Sequence, residues 1–310
     1  MIVTILTTSF KRPKLLKRLG DVIVPLVNKL NGKLKWKIII DENTNEYDYV
    51  FEEITQNVKD KSLITWDYHS NIGKFKSLVK LINLTKDSEW LVNIDDDDIL
   101  INYKFENFLT KLDDADKNLK AIIVPRLILN VRFYNIKFKI KKKLFKKFNN
   151  TQMSYFEFKE QFGDIDTTIF LRRSAHNIDE FPEIENDNFT AESLLWLKAF
   201  PGKDLLISNE FLIYSQYLSG GLTKSINSKR TSNTTSAIAI YKRFLEHKKF
   251  NFFSKFLIKT LINYYRFNLH AKNKINIFDD SYGNFYIRFL CLLFAMLLFF
   301  YDNLIEKKYK

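Results

Sequence analysis

The apolar residues of the first hundred positions fall into two alternating kinds of run. "IVTILTTSF", "KWKIII", "SLITWDYHS" and "EWLVNID" are short, rich in β-branched and aromatic residues, and bounded by polar clusters, the pattern of buried strands. Between them, Leu15, Leu16 and Leu19 follow Pro13 at helical spacing, and the segment from Ser77 to Thr85 repeats in the same way. Proline is well suited to a first helical turn, where its missing N–H costs nothing. Strands alternating with helical segments predict βαβ units and a mainly parallel sheet. In such sheets ligands bind beyond the carboxyl ends of the strands. Those ends carry "TTSFKR", "DENTNE", "HSNIGK" and "DDDD", so the pattern brings four polar clusters to one edge.

The second half alternates less regularly. "AIIVPRLIL" and "TTIFLRRSA" read as strands, "TAESLLWLKAF" as a helix, and "NEFLIYSQYLSGGLTKS" as a strand leading into a Gly-Gly loop. From Ala237 to about Lys272 the spacing is mostly helical. The expected organisation is a catalytic-type α/β domain over residues 1–230 and a helical extension over 231–310, within 310 residues in all.

Charge adds a second theme. The chain carries a formal net charge of +13, and from Lys117 to Phe156 there are eleven Lys or Arg and no acid. Such a field attracts anions: a nucleic acid, a phosphorylated substrate or an anionic membrane. A nucleic-acid protein using the basic insertion 132–148 explains that charge but not the polar clusters at the strand ends. A nucleotidyltransferase is disfavoured because "TTSFKRP" lacks the glycines of a phosphate loop. Cys291 is the single cysteine, so no internal disulfide forms, and no signal peptide is read at the start. The expected location is the cytoplasm, with peripheral attachment to the inner face of the plasma membrane.

The aspartate run demands its own explanation. Asp95, Asp96, Asp97 and Asp98 directly end a buried-type strand, and four adjacent carboxylates repel one another. Carboxylates spaced i, i+2 at a bend can share one hard divalent cation, Mn2+ or Mg2+, and such cations commonly take their remaining ligands from substrate phosphates. The alternative is a solvated acidic turn, since aspartate favours turns. The four histidines show no metal-ligand spacing.

"VTILTTSFKR", "IIIDENTNE", "NIGK" and "LVNIDDDDI", in that order and spacing, resemble the family 2 glycosyltransferases of the GT-A fold, of the bacterial polysaccharide or lipooligosaccharide type. The resemblance covers roughly residues 2–225. It implies a Rossmann-like α/β fold, mixed but mainly parallel, flanked by helices. It further implies a UDP-sugar donor, a divalent cation held by an Asp-X-Asp motif, and a glycan or lipid-linked acceptor. On this likeness Thr7, Thr8 and Phe10, with Arg12, line the nucleotide. Asp41 and Glu42 form the acidic pair after the second strand, with Glu42 on the uracil ring. Asn71 and Gly73 match an Asn-X-Gly element, and Lys74 and Lys76 are the local substitutes for an arginine the family often has nearby, where this chain has leucine. Asp95 and Asp96 fall on the nucleotide side, and Asp95, Asp97 and Asp98 on the metal, with the register open to a one-residue slip.

An inverting transferase also needs a general base, for which a carboxylate is suited. "TAESLLWLKAF" offers Glu192 at a helix start, where the family pattern has a Glu-Asp pair, and Asp187 in "IENDN" is the second candidate. The signature of processive synthases is absent, which implies addition of a single sugar. A non-catalytic scaffold of the same fold is the remaining alternative. The apolar run Phe289 to Tyr301 is shorter than the ~20 residues needed to span a bilayer. It is therefore expected to pack on the domain or to lie in a membrane interface.

Overall fold

The computed structural model describes residues 1–129, 142–175, 192–216, 230–231, 233–247, 254–275 and 282–309, and for 129, 175 and 305–309 the backbone alone. The chain separates into two compact units. The first comprises Met1–Ser154, Asp164–Glu180 and Gly202–Leu218; the second comprises Tyr155–Gly163, Phe181–Pro201 and Ser219–Lys310. Two short segments upstream of residue 230 therefore group with the C-terminal helices.

The first unit begins as the pattern predicts. β1 (Val3–Ser9) leads into α1 (Pro13–Leu30), β2 (Leu34–Ile40), α2 (Asp48–Asn57), β3 (Ile64–Tyr68), α3 (Lys74–Leu84) and β4 (Trp90–Asn93). All seven residues of β1 are buried, as expected of a strand covered on both faces. Pro13 occupies the first turn of α1, which buries Leu16, Leu19, Ile23 and Val27, and the helix ends at Asn31 in the left-handed conformation. The unit continues through β5 (Ile99–Leu100), α4 (Asn102–Asp113), β6 (Ala121–Pro125) and β7 (Leu127–Leu129). A short helix at 142–147, α5, follows. β8 (Gln152–Met153), β9 (Thr167–Arg172), β10 (Leu205–Ile207) and β11 (Ile213–Gln216) complete the strands.

Eight strands make the main sheet in the order β3-β2-β1-β4-β9-β6-β10-β8. β1 to β4 are mutually parallel. β9 runs antiparallel between β4 and β6, so β6 again points the same way as β4. β10 is parallel to β6, so the carboxyl ends of six strands, β1, β2, β3, β4, β6 and β10, lie along one edge. A second sheet of order β5-β11-β7 forms from segments that leave this edge. β5 begins one residue after the aspartate run, and β7 begins two residues after β6 ends.

The core of this unit is a continuous apolar cluster including Ile5, Trp36, Ile38, Trp90, Phe105 and Phe170. Burying each such side chain contributes roughly 1.5–3 kcal/mol. Trp36 satisfies its indole N–H on the hydroxyl of Thr7 at 2.9 Å, so the tryptophan leaves no buried donor unpaired.

The second unit is helical. It holds α6 (Tyr155–Phe162), α7 (Ser193–Ala199), α8 (Thr234–Glu246), α9 (Lys255–His270) and α10 (Phe285–Tyr309). Phe156, Phe244, Phe256 and His247 stack around one another, and Ser254 caps α9 by accepting from the Leu257 N–H. α10 is 25 residues long, almost twice the apolar run visible in the sequence, because Phe285–Arg288 before that run and Asp302–Tyr309 after it continue the helix.

Candidate functional site

Every carboxyl end along the shared edge delivers a polar group. β1 ends at Ser9, whose hydroxyl donates to Asp96 at 2.6 Å and lies 3.1 Å from the Tyr47 hydroxyl. Thr7, one turn of the pleat earlier, is fully buried. Its hydroxyl accepts from Trp36 and donates to the Ile94 carbonyl at 2.9 Å, so it fixes the strand rather than facing the loop. Thr8 is buried at 8% exposure, whereas Phe10 is exposed. The chain then turns at Lys11 with φ 55, and the Lys11 N–H donates to Glu42 at 2.6 Å. Glu42 is thereby held against the β1 loop.

Asp41 follows β2 and is buried. Its two carboxylate oxygens accept from the N–H groups of Ile72 and Gly73 at 2.8 and 2.9 Å and from the Ser77 hydroxyl at 3.1 Å. It thus gathers the loop after β3 onto the start of α3. Gly73, at φ 89, occupies a left-handed conformation that favours glycine. Asn71 is exposed on the same loop. The first residue of α3, Lys74, reaches back to Asp95 at 2.9 Å.

Burial alternates through the aspartates. Asp96 and Asp98 are buried at 3% and 2% exposure, while the side chains of Asp95 and Asp97 each retain 21%. The turn therefore presents two carboxylates at i, i+2 and draws the other two inward. That selects Asp95-X-Asp97 as the outward pair.

The inward pair is fully engaged. Asp98 accepts from the Asp95 N–H at 3.0 Å and the Ser215 hydroxyl at 2.9 Å, and it pairs with Arg126 at 2.9 Å. Asp96 pairs with Ser9 and, at 3.3 Å, with Arg12. Arg12 also reaches Asp97 at 3.0 Å. Arg126 reaches Asp95 at 3.4 Å, and Arg18 donates to the Asp97 carbonyl at 3.0 Å and to Gln216 at 3.0 Å. Three cations, Arg12, Lys74 and Arg126, thus answer four carboxylates, while Arg18 holds the backbone of the turn.

The balance is uneven from one aspartate to the next. Burial opposes ionisation of Asp95, but Lys74 and Arg126 outweigh it and hold its carboxyl well below the usual range. Burial pushes Asp96 up to about 6 against Ser9 and Arg12. It also raises Asp97, with the Asp95 charge adding to it. Asp98 is raised by burial, with the neighbouring Asp95 charge adding to it against Arg126. Tyr47, buried beneath the β1 loop, is pushed up to about 12 and stays a neutral hydrogen-bonding group.

Arg126, Arg18, Ser9 and Ser215 escape a reading of local motifs. The one visible signal for Arg126 is the Pro125-Arg126 break inside an apolar run, where the chain leaves the main sheet for the small one. Of the two candidate bases, Asp187 lies outside the described residues. Glu192 immediately precedes α7 in the helical unit and is part-buried.

No protein-family model matches this chain, and no curated protein sequence matches it. Solved structures do. The chain is similar to S. aureus TarS 1-349 in complex with UDP-GlcNAc, with a TM-score of 0.55 and 12% identity, covering 86% of this chain and 81% of that one. The same TarS fragment in complex with UDP matches over 95% of this chain and 89% of that chain, with a TM-score of 0.54 and 11% identity. The mannosyltransferase PcManGT from Pyrobaculum calidifontis, in complex with GDP-Man and Mn2+, matches over 97% and 87%, with a TM-score of 0.54 and 13% identity. The chain has the GT-A fold.

Within this GT-A framework the donor set at the edge suits a hard divalent cation. Asp95 and Asp97 supply part-exposed carboxylate oxygens, and the Oδ1 of Asn93 is buried without a partner among the described residues. The amide nitrogen of the same side chain donates to Asp95 at 3.2 Å. Among the described residues no group of three or more His, Cys, Asp or Glu forms a closed metal cage. A cation here would draw further ligands from water or a bound phosphate, the habit of Mg2+.

Proposed function

We propose that this protein is a glycosyltransferase that moves a sugar from a UDP-sugar to a glycan or lipid-linked acceptor, one residue at a time and with inversion. The observation that carries this reading is the outward pair Asp95 and Asp97 at the carboxyl edge of a GT-A sheet, with Arg12, Lys74 and Arg126 gathered on it. Support comes from the likeness in sequence to family 2 and from the nucleotide-sugar complexes of structurally similar proteins.

In this reading Phe10 and Glu42 bound the base of the nucleotide, Glu42 accepting from the uracil N–H. Asp41 orders the loop that carries Asn71, Gly73 and Lys74 beside the phosphates. Asp95 and Asp97 would hold Mn2+ or Mg2+, which supplies Lewis-acid neutralisation of a diphosphate. Arg12, Lys74 and Arg126 are already placed around the carboxylates, and on donor binding Arg12 and Lys74 can turn from aspartate to phosphate oxygens. Such prearranged cations stabilise charge that develops on a leaving diphosphate without reorganising solvent. Glu192 is the proposed base that takes the proton of the acceptor hydroxyl, with Asp187 as the other candidate.

The deciding experiment is calorimetric titration of UDP with and without Mn2+, together with turnover of a UDP-sugar panel. Metal-dependent UDP binding that is lost in Asp97→Asn is expected. Equal binding in both proteins, or none in either, removes the reading.

A further inference from the structure

The last helix, α10, inverts the ordinary distribution of polarity. Eleven of its large apolar side chains are exposed: Phe285, Tyr286, Phe289, Leu290, Leu293, Phe294, Met296, Leu297, Phe300, Tyr301 and Leu304. At 100° per residue they fill one contiguous arc of about 180°. The opposite side buries Arg288, Cys291, Ala295 and Asp302. From Phe289 to Tyr301 no residue is charged. We propose that this half-cylinder docks onto a phospholipid bilayer bearing anionic headgroups, with α10 lying in the plane of the interface.

A second copy of the helix is the poorer occupant. A helix seated on a helix covers a seam of about two positions in seven, and a half-cylinder leaves most of its apolar surface wet. A continuous lipid phase covers the whole arc. Tyr286 and Tyr301 stand near the two ends of the run, each with an apolar ring and a polar tip, which is where the bilayer interface favours them. The charge agrees. Residues 254–310 hold nine Lys or Arg against four Asp or Glu, an excess that favours anionic lipid. Beside α10 an open groove is lined by Ile258, Ile262 and Leu298 together with Lys255 and Lys259, placing cations next to apolar surface.

Crossing the bilayer is excluded by what α10 packs against. Phe285–Leu304 is long and apolar enough to span by length alone, and its 20 residues rise about 30 Å. Yet Asp302 is clamped by Arg266 at 2.6 Å and lies 2.9 Å from His270, and both partners belong to α9. Inserting α10 across the membrane would drag α9, with Lys255, Lys259, Arg266 and His270, into hydrocarbon, where charged groups are costly. In-plane docking leaves that pairing on the protein side and immerses only the apolar arc.

This inference does not rest on the reading of the aspartate site, and its test needs no turnover. Full-length protein is floated with vesicles of phosphatidylcholine and phosphatidylglycerol at 3:1, and with phosphatidylcholine alone. The double variant Leu290→Glu/Leu297→Glu, whose thermal midpoint reports that it folds, is floated in parallel. The expected result is flotation of the wild type, stronger on the anionic vesicles, release by alkaline carbonate, and at least a tenfold drop in the bound fraction of the double variant. Undiminished flotation of that variant overturns the proposal. So does a wild type that ignores vesicles but sediments as a dimer which the variant converts to monomer. Carbonate-resistant binding overturns the in-plane geometry.

Discussion

The aspartate turn and α10 break the same rule in opposite directions. At the turn, acidic groups are drawn inward and made tolerable by cations that arrive from α1, α3 and the end of β6. On α10, Arg288 and Asp302 go inward while phenylalanine and leucine face out. Burying a charge is costly unless it is paired and hydrogen-bonded. The turn meets that condition with its own side chains, and so does the Asp302 clamp. The exposed apolar surface of α10 has no such counterpart among the described residues, and the lipid phase proposed above would supply one. Satisfied polarity marks where the fold holds itself together, and unsatisfied surface marks where something else must come.

The largest effect should come from removing a compensating cation. Arg126→Ala leaves Asp95 and Asp98 facing each other in a buried setting, and breaking a buried pair in this way costs about 3–5 kcal/mol. Urea unfolding should show it, and adding Asp98→Asn should recover part of the loss. Full stability in Arg126→Ala would mean the turn does not depend on its cations. Asp302→Ala tests the same principle on α10 and should cost at least about 2 kcal/mol.

The proton balance of the turn sharpens the comparison further. Asp96 titrates at about 6 in the fold against an ordinary value near ~3.9. Between those values the fold binds more protons than the unfolded chain, so this residue's contribution to stability falls as pH rises from about 4 to 6. The fall is of order 3 kcal/mol, with Asp97 and Asp98 acting in the same sense. Asp95 acts oppositely: held low, it contributes at neutral pH and loses that contribution as pH drops below the usual carboxylate range. Unfolding midpoints of Asp96→Asn, measured in metal-free buffer, should show a shallower slope between pH 4 and 6 than wild type, with Asp97 and Asp98 supplying what remains. An unchanged slope would assign the proton to another group.

A smaller effect separates chemistry from scaffold. Asp97→Asn should cut transfer by about 10²-fold, the size typical of losing one preorganised electrostatic partner, while its unfolding midpoint stays near wild type. Gly73→Ala, forced to φ 89, should cost about 1 kcal/mol. The smallest change is expected at the surface of α10. Leu297→Ser should alter stability in solution by no more than about 0.5 kcal/mol, although the same face is the proposed lipid contact. A large loss there would show that the arc is covered by protein.

Much of the first unit is legible in the chain itself. The strands β1 to β4, the helices α1 and α3 and their polar ends follow from period and punctuation. The antiparallel β9 between β4 and β6, and the division of "AIIVPRLIL" between two sheets, have no such signal, because strand order depends on partners far apart in the chain. The same holds for the site. Asp41, Glu42, Lys74 and the aspartates announce themselves locally. Arg126 and Ser215 reach Asp98 from 28 and 117 positions away, a juxtaposition with no local trace.

Sequence alone determined that a run of carboxylates ends a buried strand beside three other polar loops, and that a long apolar stretch lies near the end of the chain. Period-2 and period-3.6 patterns and turn chemistry are local, so a single chain displays them. Tertiary structure decided which aspartates face out, since that depends on how the turn meets Ser9, Arg126 and the small sheet. It also decided which side of α10 is left exposed, because the pairing of Asp302 with Arg266 turns the opposite side onto α9.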